Sequence, residues 1–147
     1  MGIKEEMPLL ARHEGEWHGT YTFVDMDGNI IDKHRSVITC EFPAEGEFPY
    51  FQTNHYTWDD GKEEHIKFPA TYHDRNIWFD TERIVGHCWE VDDHVIVLTW
   101  VYAKDPSVSL YELIHLDDSG TNRARTWQWM KDGVCFQRTL IDEKKIS

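Results

Sequence analysis

Two predicted hairpins in the last third of the chain bring together side chains that can transfer protons. If the turn DDSG has its tip at residues 118 and 119, Glu112 lies directly opposite Arg125. Cβ atoms of directly opposed residues are about 5 Å apart, close enough for an ion pair. The same face carries Trp127 and Arg123 beside aliphatic residues, which indicates that it is covered. The pair is therefore either structural or a polar anchor in an apolar cavity.

The turn KDG places a further arginine on this face. If it turns at residues 132 and 133, Trp127 lies opposite Arg138 and Trp129 lies opposite Phe136. Arg125 or Arg138 would then meet the carboxylate or phenolate of a ligand.

The turn VDDH sets the position of the candidate histidine. It predicts His87 opposite Leu98, and it puts Trp89 and Trp100 on the same face. We expect these three side chains to lie inside. The connection KDPS permits either parity, so their side of the sheet relative to Glu112 stays open.

Two more segments supply candidate cavity walls. Tyr21 and Phe23 share a face with Trp17 in the first alternating stretch, WHGTYTF. In the stretch YFQTNHYTW, either the face with Asn54 and Tyr56 or the opposite face lines the interior. The sequence thus nominates Glu112 and His87 as catalytic, and as ligand-binding Arg125, Trp127, Trp89, Trp100, Tyr21, Phe23, Asn54, Tyr56 and Arg138.

Short β-rich segments separated by turn signals must position these residues. Strands are predicted at 17–24, 30–42, 49–58, 62–70, 76–82, 84–91, 94–102, 108–116, 121–130 and 134–143, after a short N-terminal helix in MPLLARHEG. An antiparallel meander of this length removes its exposed edges by closing into a barrel. We therefore predict an all-β, up-and-down barrel of about 8–10 strands; a sandwich is the alternative.

The Gly-x-Trp opening GEW at 15–17 and the closing segments RARTWQW, KDG and CFQRTLIDEKK resemble lipocalin-like barrels of the calycin superfamily. The pattern is most similar to a family of uncharacterised bacterial lipocalin-like proteins. The resemblance implies that Trp17 plugs the closed end of the barrel and that Arg138 packs across it.

Composition limits the domain count, the partners and the location. The 147 residues suit one domain, 1–147. A net charge of -12 argues against nucleic acid and membrane partners. The N-terminus lacks the apolar core of a signal peptide, and the 3 cysteines show no disulfide or CxxC pattern. We therefore expect a cytoplasmic monomer or homodimer.

The 9 histidines form no cofactor-binding motif. They match no zinc spacing, and DMDGN lacks the later glutamate of a calcium loop. Ten-stranded haem barrels of the nitrobindin type carry their ligating histidine on the closing strands, where this chain has none. We expect no cofactor and no metal, and a haem function is less favoured.

Two functions suit such a barrel. It would either carry a small apolar or aromatic ligand, such as a hydrophobic carboxylic acid, or catalyse cofactor-free proton transfer on it, as a lyase or isomerase. The structural alternative is that 7 Trp, 6 Tyr and 7 Phe fill a solid core. A buried carboxylate or imidazole without full partners would favour chemistry.

Overall fold

The computed structural model describes residues 2–147 and shows a closed barrel of ten antiparallel strands in meander order. The elements are α1 Ile3–Glu6, α2 Pro8–Ala11, β1 Gly15–Asp25, β2 Ile30–Glu41, β3 Tyr50–Thr57, β4 Glu63–His73, β5 Asn76–Asp80, β6 Ile84–Glu90, β7 Val95–Tyr102, β8 Asp105–Leu116, β9 Asn122–Lys131 and β10 Val134–Lys145. β1 pairs with both β2 and β10, which closes the barrel. The predicted all-β up-and-down barrel is confirmed, with two short N-terminal helices in place of one.

One end of the barrel is closed by the helices and by Trp17. Trp17 is fully buried, and its indole N–H donates to the backbone carbonyl of His13 at 2.9 Å. Leu9 and Leu10 of α2 are buried in the same core. The guanidinium of Arg123 lies 4.3 Å from the Trp17 ring centroid. Trp17 is thus the plug, and Arg123 covers it where Arg138 was expected.

The β8–β9 hairpin is longer than its predicted two-residue turn. The Asp117 amide donates to the Asn122 carbonyl at 3.0 Å, so four residues lie in the loop. Glu112 is therefore opposite Trp127, and Arg125 is opposite Ile114. The register differs from the prediction by two residues. Because side chains alternate with a period of two, the predicted face is preserved.

The β9–β10 hairpin begins as predicted and then changes register. Asp132 and Gly133 both have positive φ, as a two-residue primed turn requires. A β-bulge between Cys135 and Gln137 then shifts the pairing by one residue, so Trp127 lies opposite Thr139. Arg138 pairs with Gln128 and Val24 on the outer face. Its predicted place beside the cavity is wrong because of this bulge.

The β6–β7 connection also differs from the prediction by one residue. The Val91 amide donates to the Val95 carbonyl at 2.8 Å. As a result His87 is opposite Thr99, and Trp100 is opposite Gly86. The shift places Trp100 inside and puts His87 and Trp89 on the outer face. The predicted interior position is confirmed for Trp100 and is wrong for the other two.

Neither helix within residues 2–147 has the length and apolar character needed to cross a bilayer. The cytoplasmic location stays a prediction.

Candidate functional site

The barrel interior is a cavity of about 530 Å³. Its walls are predominantly aromatic and aliphatic. The lining includes Tyr21, Phe23, Asp32, His34, Asn54, Tyr56, Trp58, Glu64, Arg83, Trp100, Glu112, Arg123, Arg125, Trp127 and Trp129. The alternative that the 20 aromatic side chains fill a solid core is therefore wrong.

A buried guanidinium organises the deep part of the cavity. Arg125 donates from Nη1 to Glu112 Oε2 at 2.6 Å and from Nε to Glu143 Oε1 at 2.7 Å. Its Nη2 donates to the Tyr21 hydroxyl. The ion pair of Glu112 and Arg125 forms diagonally, across one step of the β8–β9 ladder. The covered pair predicted from the sequence therefore exists inside the barrel.

Glu143 links this arginine to the floor of the barrel. Arg123 donates to both Glu143 oxygens, at 2.6 and 3.2 Å. Burial would raise the pKa of Glu143, but Arg123 and Arg125 beside it lower that pKa to about 2. The pKa of His13 is also held well below its ordinary value, because burial and the nearby Arg123 both disfavour the charged imidazole. The floor thus holds a neutral imidazole, that of His13, and a carboxylate, that of Glu143, which two arginines share.

A second polar group, on β2 and just after β3, lies nearer the open end of the barrel. His34 Nδ1 is 2.7 Å from Asp32 Oδ2, and the Trp58 indole N–H donates to Asp32 Oδ1 at 2.9 Å. The His34 ring stacks on Tyr21 at a centroid distance of 5.2 Å and lies 4.2 Å from the Trp58 ring. The imidazole is therefore fixed in place by one carboxylate and two aromatic rings.

A ladder of amides and phenols runs along the inner face of β3. The Tyr50 hydroxyl donates to Gln52, whose amide donates to Asn54 at 2.8 Å. The Asn54 amide donates in turn to the Tyr56 hydroxyl at 2.7 Å. Burial raises the pKa of Tyr56 above its ordinary value, so this phenol stays protonated at neutral pH. The structure thus selects the face of β3 that the sequence left open.

Eight of the predicted site residues line the cavity: Tyr21, Phe23, Asn54, Tyr56, Trp100, Glu112, Arg125 and Trp127. His87, Trp89 and Arg138 do not. His87 stacks between Trp78 and Trp89, at centroid distances of 4.5 and 5.1 Å, and its Nδ1 lies 3.0 Å from the Asn76 amide oxygen. Its contacts are those of a surface aromatic cluster.

The sequence interpretation missed Glu143, Asp32 and His34. Glu143 lies on the inner face of β10 because the bulge at Cys135–Gln137 shifts the alternation of this strand by one residue. The available signal was the alternation Thr139, Ile141, Glu143, in which a carboxylate continues a buried row.

Three further side chains could hold a metal ion, on the outer face of the β3–β4 hairpin. Ligand atoms of His55, Glu63 and His65 lie within 4.8 Å of one another. The His55 and His65 rings stack at 4.0 Å. These three side chains do not line the cavity.

These features define a class: a ten-stranded meander barrel with an aromatic cavity and a buried charge cluster at its floor. The chain belongs to the DUF3598 family, because residues 4–147 match the family model described as domain of unknown function (DUF3598), N-terminal. None of the curated proteins compared with the chain matches it.

Several solved structures share the fold, and three of them are described next. A DUF3598 protein of unknown function from Nostoc punctiforme superposes with a TM-score of 0.74 at 18% identity, over 93% of this chain and 49% of that one. The S-type phycobiliprotein lyase CPES from Guillardia theta gives 0.74 at 16% identity, over 100% and 94%. A redesigned β-barrel gives 0.52 at 12% identity, over 96% and 97%.

The chain spans about half the length of the Nostoc protein. The single-domain organisation over 1–147 therefore stays a prediction. At these identities the similarities establish the barrel fold, which the lipocalin-like resemblance also implied.

Proposed function

We propose that the barrel binds one small, largely aromatic or apolar molecule and transfers a proton to or from it. The observation that carries this proposal is the cavity of about 530 Å³ with a buried Glu112 carboxylate in its wall. Small-molecule sites typically enclose about 300–1,000 Å³ and combine apolar walls with a few placed polar groups.

The carboxylate is only partly satisfied. Arg125 binds Oε2 of Glu112, while Oε1 has no hydrogen-bond partner among residues 2–147. A fixed carboxylate with one open oxygen can accept a proton from a bound molecule or return it. This arrangement supports proton-transfer chemistry of the lyase or isomerase type, with Glu112 as the catalytic residue.

Carriage without chemistry is the second candidate. A phycobiliprotein lyase from Guillardia theta shares the fold, so bilins are among the candidate ligands for either function. The aromatic walls support either outcome, because stacking on Trp100 and Trp127 requires no reaction.

The binding step is tested by tryptophan fluorescence during titration with a panel of aromatic and polyunsaturated compounds, a bilin included. A ligand inside the barrel should quench Trp127. The Trp127→Phe variant should therefore lose part of the change, and Trp78→Phe, on the outer face, should keep it. Equal losses in both variants, or no response to any compound, would contradict an internal site.

Chemistry is tested on a compound that binds. Glu112→Gln should lower turnover, measured by mass spectrometry of products, by roughly 10²–10⁴. Turnover that survives this change would assign the chemistry elsewhere. A bound compound recovered unchanged from the parent protein would leave carriage as the function.

A further inference from the structure

The arginines that line the cavity are already paired with carboxylates. Arg123 and Arg125 share Glu143, and Arg125 also binds Glu112. Arg83, nearer the open end, lies 3.6 Å from Glu64. At Arg123 and Arg125 a ligand carboxylate would have to displace one of these buried partners, and an unpaired buried carboxylate is costly. The deep part of the cavity therefore has no free arginine for an acid, and the exposed Arg83 already has a carboxylate beside it.

Two acceptors on the cavity wall are open, His34 Nε2 and Glu112 Oε1, whereas the partnerless indole N–H of Trp127 is fully buried in the wall. Because the Asp32 carboxylate can only accept, His34 Nδ1 donates to it, and in the tautomer that carries its proton on Nδ1 the lone pair is on Nε2. Nε2 makes no hydrogen bond to any residue in 2–147, and the same holds for Glu112 Oε1. The Trp58 indole N–H donates to the other Asp32 oxygen and so holds the carboxylate against His34 Nδ1. A carboxylate held in this position favours the His34 tautomer with its proton on Nδ1.

The charges around the cavity point the same way. Three arginines face four carboxylates when Glu143 is included, and the whole chain carries a net charge of -12. The surroundings therefore attract cations and disfavour anions.

We infer that the cavity selects a ligand bearing hydrogen-bond donors, as N–H, O–H or ammonium groups on an aromatic body, and that His34 Nε2 and Glu112 Oε1 receive them. This inference rests on the proposed function, since it names the class of ligand for the same cavity. It replaces the hydrophobic carboxylic acid expected from the sequence. The histidine that meets the ligand is then His34 and not the predicted His87, which lies on the outer face.

The experiment uses three probes with one aromatic body: 1-pyrenebutanol, its methyl ether and 1-pyrenebutyrate. The alcohol and the ether differ in one donor and in no charge, so long-range electrostatics do not separate them. We expect the parent protein to bind the alcohol about 10-fold more tightly than the ether, the equivalent of one retained hydrogen bond. Pyrenebutyrate should bind more weakly than the alcohol at both low and high salt.

Variants locate the acceptors. Glu112→Gln and His34→Phe should each reduce the preference for the alcohol over the ether. His55→Gln, on the outer face, is the matched control and should retain it. Asp32→Asn keeps the His34 ring but releases its tautomer, so it tests the role of Nε2 if His34→Phe does not fold.

The outcomes separate this inference from the function on which it rests. Binding of pyrenebutyrate as tightly as the alcohol, or an alcohol preference that survives all three cavity variants, would overturn the donor-bearing class alone. If none of the three probes binds, the proposed function fails and the inference fails with it.

Discussion

Glu143→Gln should be among the most damaging conservative substitutions in this protein. The Glu143 side chain is fully buried, and its two oxygens bind both Arg123 and Arg125. Glutamine has the same shape, but it removes the charge and puts an N–H₂ group where an acceptor is needed. Arg123 would then have no carboxylate partner, whereas Arg125 would keep Glu112.

The magnitude follows from breaking a buried ion pair on one side. Removing one partner of such a pair typically costs about 3–5 kcal/mol, because the other charge stays buried. For a chain of this size about 1 kcal/mol lowers Tm by about 2–4 °C, so we expect a decrease of roughly 6–20 °C.

Thermal unfolding followed by circular dichroism measures this decrease. Asp142→Asn, the exposed neighbour on the outer face, removes the same charge from the same strand and should leave Tm nearly unchanged. Adding Arg123→Met to Glu143→Gln should recover part of the loss, because no unpaired guanidinium then remains at the floor. A Glu143→Gln Tm within about 2 °C of the parent would refute this account of the charge cluster.

Three further predictions concern the same core. Trp17→Ala should cost about 3–5 kcal/mol in urea unfolding, and a variant as stable as the parent would contradict the plug. Glu112→Gln and Arg125→Met should each destabilise the protein, and the double variant should cost clearly less than their sum; additive costs in the cycle would place the two groups apart. Because folding lowers the pKa of Glu143 to about 2, its contribution is present above its ordinary pKa and is lost as pH falls from about 4.5 towards 2. Urea midpoints across this range should converge for the parent and Glu143→Gln, and parallel curves would contradict the assignment.

The strands and their closure could be predicted because alternation and turn signals are local properties. Each of the ten predicted segments overlaps one of the ten strands. The Glu112–Arg125 pair was also predictable, although the hairpin register was not. An error of two residues in the β8–β9 loop left both side chains on the inner face.

An error of one residue had the opposite effect. The β6–β7 loop moved His87 and Trp89 to the outside, and the β9–β10 bulge did the same to Arg138. Loop length and bulges depend on how the closed barrel accommodates its twist, which a local pattern does not reveal. The bulge also brought Glu143 inside, so the residue that holds the charge cluster together was missed for the same reason.

The central claim is that the cavity of this DUF3598 protein binds a small aromatic molecule, and a crystal structure with 1-pyrenebutanol bound tests it most directly. We predict density for the pyrene body between Trp100 and Trp127, with the hydroxyl in hydrogen-bond contact with Glu112 Oε1 or His34 Nε2. A barrel interior without probe, with the pyrene bound only on the outer surface, would contradict it.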